Sequence, residues 1–96
     1  MNRWVFSTTA CNRYSTYKGC FIRVYDAGTG KLLLDFPINA RNGLKYLKSL
    51  TRPHQSKKLS AFLEKCKQAG VPEEAVQAAI GQARRCIVDE KGNVVR

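Results

Sequence analysis

The chain has 96 residues, 44% of them hydrophobic and 25% charged, with seventeen Lys and Arg against seven Asp and Glu for a formal charge of +10. That composition excludes wholesale disorder and leaves room for one domain, residues 1–96, around one modest core. No apolar run nears the ~18 residues of a membrane span, and the start Met1-Asn2-Arg3-Trp4-Val5-Phe6 turns polar at Ser7 without a secretory signal, so the expectation is a cytoplasmic, non-membrane protein.

Residues 3–8 mix Trp, Val, Phe, Ser and Thr in rough alternation and predict a first strand. Asn12 to Gly19 is polar and turn-rich. Cys20 to Tyr25, dense in β-branched and aromatic residues, predicts a second strand. Asp26-Ala27-Gly28-Thr29-Gly30 has the chemistry of a hairpin turn, and Lys31 to Phe36 makes the third strand. Alternation places Cys20, Ile22 and Val24 inward with Trp4, Phe6, Leu32, Leu34 and Phe36. Phe21, Arg23, Tyr25 and Lys31 then face outward. The inward set is the more apolar, which selects this register.

After Pro37 the period becomes helical. Asn39 or Asn42 caps a short helix carrying Leu44, Leu47 and Leu50, ended by Pro53. Leu59, Phe62, Leu63, Cys66 and Ala69 form the stripe of a second helix, with Ser56 as cap and Gly70 as terminator. Pro72 at a first helical position, followed by Glu73 and Glu74, opens a third, whose stripe is Val76, Ala79, Ile80, Ala83 and Ile87. Ile87-Val88, a polar turn at 89–93 and Val94-Val95 suggest a hairpin or an added edge strand. The fold expected is α+β: a three-stranded antiparallel meander followed by three short helices packed on one sheet face, with a short C-terminal strand or hairpin.

The four cysteines, Cys11, Cys20, Cys66 and Cys86, lack the close spacing of structural zinc sites, and His54 is the single histidine. Reduced thiols are expected, with a Cys11–Cys20 bridge as the alternative, and neither metal nor cofactor. Cys66 and Cys86 fall on apolar positions of helical patterns, where cysteine acts as a small hydrophobe. Nothing marks a nucleophile partnered with His54, and the carboxylates Glu73, Glu74, Asp89 and Glu90 have sufficient reasons at a helix start and a turn. No enzyme is expected. Gly28-Thr29-Gly30-Lys31 lacks the earlier glycine of a phosphate loop and precedes a strand where that motif needs a helix.

Cys66-Lys67-Gln68-Ala69-Gly70-Val71, followed by Val76 and Ala79, resembles the helix–turn–helix of bacterial repressors over about a fifth of the chain. Lys65 departs from it where that family carries an apolar residue. The second helix starts Pro72-Glu73-Glu74, placing acid where phosphate contacts would be made. The reading preferred for this segment is a structural helical corner.

The charge is uneven. Residues 1–70 hold the whole excess, 71–96 are neutral, and 41–67 alone carry +7. Lys45, Lys48, Arg52, Lys57, Lys58, Lys65 and Lys67 meet only Glu64 at ion-pairing spacing, a pattern suited to tracking phosphates. Arg13, Tyr14, Tyr17 and Lys18 interleave cations and rings in a loop, while Phe21, Arg23 and Tyr25 do so on a strand face. The expected function is nucleic-acid binding, to DNA or RNA, with phosphates held from Arg41 to Lys67 and stacking from these rings. The alternative is a protein-interaction module, such as a phage- or plasmid-encoded inhibitor docking on an acidic or nucleic-acid-binding face of a larger machine.

Overall fold

Alternation of apolar and polar residues builds the sheet in the computed structural model, which describes residues 2–8, 20–38, 43–49 and 57–95. Strands β1 (Arg3–Thr8), β2 (Cys20–Asp26) and β3 (Leu32–Ile38) pair antiparallel in a meander. Asp26 closes the β2–β3 turn. Its carboxylate accepts the N–H groups of Gly28 at 2.8 Å and Thr29 at 3.1 Å, an Asx turn of the expected kind. A fourth strand, β4 (Cys86–Asp89), pairs antiparallel with β1, so the order is β3-β2-β1-β4.

Strand β4 corrects one expectation. Cys86 and Ile87 belong to a strand and not to a helical stripe, because the chain turns at Ala83 and finds the open edge of β1. Beyond it Val94 bridges back to Val88, and the Val95 N–H donates to the Ile87 carbonyl at 2.7 Å, the hairpin-like close foreseen for this end.

One face of the sheet carries Trp4, Phe6, Cys20, Ile22, Val24, Leu34, Phe36, Ile38, Cys86 and Val88, all buried. Leu32 does not join them and is 41% exposed. The pairing slips between Val24 and Tyr25, with Val24 opposite Leu34 but Tyr25 opposite Leu32. The extra residue of this bulge reverses the side on which Leu32 emerges. Pro37 sits inside β3, which an edge strand tolerates because one row of its amides lacks a strand partner anyway.

Three helices cover the apolar face: α1 (Gly43–Ser49), α2 (Lys57–Gln68) and α3 (Glu73–Gln82). Gly43 brings α1 against Ile22 and Cys20 so closely that a Cβ would lie 2.7 Å from Ile22 Cγ1. Phe62 of α2 meets Phe36 edge-on, ring centroids 5.3 Å apart. Ala75, Val76, Ala79 and Ile80 form the buried side of α3. Phe6, Phe62, Ile22, Ile38, Leu44 and Ile80 are fully buried, each worth about 1.5–3 kcal/mol of transfer free energy.

The α2–α3 corner is built as a Schellman turn. Gly70 stands at φ 86°, the Val71 N–H reaches back to the Cys66 carbonyl at 2.9 Å, and the Gly70 N–H to Lys67 at 3.1 Å. Val71 and Cys66 are both buried beneath it, the apolar contact that goes with this motif. Pro72 is extended, with ψ 149°, and caps α3 one residue before its expected place as the first helical residue. Helix α3 contains no Lys or Arg, so the resemblance to a DNA-reading corner ends at the backbone.

Candidate functional site

The outer sheet face is built from the strand residues that alternate with the core. Phe21, Arg23 and Tyr25 emerge there together, as the alternation of β2 predicts. Across from them stand Pro37, Asp35 and Leu32 on β3, with Val5 and Ser7 on β1. Phe21 is 36% exposed. Arg23 is engaged: its Nε donates to Asp35 Oδ1 at 3.1 Å, and a hydrogen bond with Tyr25 and the Asp35 charge raise its pKa further. The guanidinium therefore works first as a clasp across the strands, fully charged but paired with Asp35, and less as an open cation.

The basic residues of the helical segment lie on the other layer. Lys45 and Lys48 are exposed on α1, and Lys57 is exposed at the start of α2. Lys65 bends toward the sheet edge, with Nζ 3.3 Å from the Asp35 carbonyl and 5.9 Å from the centre of the Phe36 ring. Because all three helices cover the inner face, these lysines and the Phe21–Tyr25 face sit on opposite sides of the sheet. The two sets that the sequence assigns to one binding function therefore lie on different surfaces. Arg13, Tyr14, Tyr17, Lys18, Arg41 and Arg52 lie outside the described residues, as do Cys11, His54 and the side chain of Lys58.

Charge is sorted along the strands as well as across the layers. One end of the sheet is marked by the pairs Arg3–Asp89 and Trp4–Asp26, the other by Thr8–Ile22, Cys20–Ile38 and Phe6–Cys86. Asp26 and Asp89 stand at the first end, and Glu90 follows directly. A cleft of about 860 Å³ opens there, walled by Trp4, Leu63, Val71 and Val76 and rimmed by Glu64, Glu73, Glu90 and Lys67. Glu74 also lies at this end, since its carbonyl oxygen is 3.0 Å from where a Gly92 Cβ would be. Six of the seven carboxylates are thus gathered at one end, and the seventh, Asp35, is clasped by Arg23.

Asp89 is the buried member of that set. Its carboxylate accepts the backbone N–H groups of Asn93 at 2.8 Å and Lys91 at 3.0 Å. These bonds, the Asn93 amide first, hold it below the usual carboxylate range.

At the opposite end the chain leaves α3 through Arg84 and Arg85, both exposed, before entering β4 at Cys86. The neutral count over 71–96 hides this pair, because folding sends that segment's acids and these two bases to different ends. Cys20 and Cys86 are buried near this end, and Cys66 is buried under the α2–α3 corner. Burial pushes the Cys66 thiol up to about 12 and raises Cys86, with Arg84 pulling Cys86 partly back. Cys66 and Cys86 are free thiols and Cys20 is buried. Among the described residues no three metal-binding side chains gather, and no described helix is long and apolar enough to cross a membrane.

No family model matches this chain, and no curated protein or solved structure matches it either.

Proposed function

We propose that the protein binds the phosphate backbone of nucleic acid through Lys45 and Lys48 of α1, Lys57 at the start of α2 and the sheet end remote from its carboxylates. The gathering of six of seven carboxylates at one end is the observation that supports this best. A net +10 spread evenly would give solubility alone. Arg3, Lys31, Lys67 and Lys91 stand among those carboxylates and nearly cancel them, so the uncompensated positive charge lies elsewhere and a polyanion is drawn there. Phe21, near the basic end of β2, is the ring a flexible strand reaches first; Tyr25 lies further toward the acids and is tied to Arg23.

Titration of labelled single-stranded and duplex oligonucleotides at several salt concentrations tests this reading. The logarithm of affinity should fall linearly with log salt, at about −0.7 per phosphate contacted for single strands and about −0.9 for duplex. No binding at about 50 mM salt and protein concentrations above about 10⁻⁴ M overturns it.

The exposed apolar residues Phe21, Leu32 and Val94 favour a second reading, an interaction module that docks on another protein. Binding to one protein that is insensitive to salt and abolished by Phe21→Ala supports that reading over the first.

A further inference from the structure

We propose that Arg84 and Arg85, with the side-chain amide of Gln82, form a seat for one phosphodiester of the bound strand; this rests on the nucleic-acid reading above. Helix α3 stops at Gln82, and Ala83 at φ 57° turns the backbone sharply, its N–H capped on the Ile80 carbonyl. The next two residues bend toward β4, so two consecutive guanidinium groups leave the corner where the helix layer meets the sheet. They line a pocket of about 410 Å³ with Gln82, Cys86, Ile87 and Val94.

Four features fit this pocket to a phosphodiester. Its walls hold no carboxylate, and among the described residues neither arginine has an ion-pair partner. Burial keeps the neighbouring Cys86 thiol protonated, so no thiolate competes for the guanidinium groups. A helix C-terminus attracts one nearby cation through its dipole, but that gives no reason for a second arginine beside the first. Paired guanidinium forks match phosphate oxygens in a bidentate way that lysines do not. Ile87 and Val94 add an apolar wall against which a sugar or base can lie.

The position also joins surfaces that are otherwise apart. Helix α3 packs beside α1, which carries Lys45 and Lys48, while Ile87 pairs with Val5 and Val5 with Tyr25 across the outer face. A strand seated at Arg84 and Arg85 could therefore run from the helix layer around the β4 edge.

The test compares the wild-type chain with Arg84→Gln/Arg85→Gln, using a labelled thymidine oligonucleotide at several salt concentrations. Affinity should drop at least about tenfold, and the salt slope should become shallower by about 0.7 for the lost phosphate contact. Arg84→Lys/Arg85→Lys should recover the slope but only part of the affinity. If the wild type binds and the glutamine variant binds equally with the same slope, the seat is overturned and the nucleic-acid reading stands. If the wild type does not bind, both fall.

Nuclear magnetic resonance of the wild type removes dependence on the variant's folding. The Arg84 and Arg85 Nε–H and Gln82 amide signals should be among those shifted most by the oligonucleotide. Their failure to move overturns the seat. Inorganic phosphate, which cannot use the apolar wall, should shift them only weakly. Saturation by phosphate as readily as by oligonucleotide would overturn the assignment to a nucleic-acid strand.

Discussion

Ala83 is the one non-glycine residue with a positive φ among those described, and it closes α3 where glycine is the usual choice. A Cβ in the left-handed region costs about 1–2 kcal/mol, offset in part by the extra freedom glycine has when unfolded. Ala83→Gly should therefore raise stability by about 1 kcal/mol, read as a higher midpoint in urea with an unchanged slope. A lower midpoint would mean that the methyl group makes contacts that outweigh the strain. Arg23 teaches a different lesson at this scale. Its place on the outer face was legible from alternation, but its partner was not, since Asp35 lies opposite only after β2 and β3 have paired.

Gly43 decides how α1 meets the sheet. Alanine elsewhere in a helix is favoured over glycine by about 1 kcal/mol. Here the added carbon would stand 2.7 Å from Ile22 Cγ1, a fully buried side chain with no room to retreat. Overpacking wins, and Gly43→Ala should cost about 1–3 kcal/mol in chemical denaturation. An unchanged or raised stability would show that α1 can ride outward without loss. Elements with a clear period were legible in the sequence: β1, β2 and α2 lie where alternation or helical spacing puts them. The β3 bulge was not, because one unpaired residue leaves no mark on composition, and simple alternation continued through it puts Leu32 in the core. Strand β4 was only half legible. Its four residues are too short for a period of their own, and Ile87 falls in step with the α3 stripe. The candidate site divides the same way: the Phe21–Tyr25 face follows from local spacing, whereas the Arg84–Arg85 corner becomes visible only when the acids of the same segment are seen to fold elsewhere.

For the molecule as a whole, the distance between its charged ends matters, since they are separated by strands of six or seven residues, roughly 20 Å, and screening at physiological salt acts over about 8 Å. Glu73→Gln/Glu90→Gln, at the acid end, should leave oligonucleotide affinity within about twofold at physiological salt. The same change should strengthen binding more visibly when salt is lowered to about 10 mM, where screening reaches about 30 Å. A tenfold gain at physiological salt would place the strand at the acid end and refute the polarity argued for it. The pairing of β1 between β2 and β4 bears on how the chain reaches this state. During synthesis residues 3–38 can assemble the meander early, yet the second edge of β1 stays open until residues 86–89 have been made. Until then a row of backbone donors and acceptors is available to any neighbouring strand, including that of another nascent copy. Strand β4 is thus made long after the strand it shields, and a ribosome stalled before Cys86 would hold a chain prone to pairing with others.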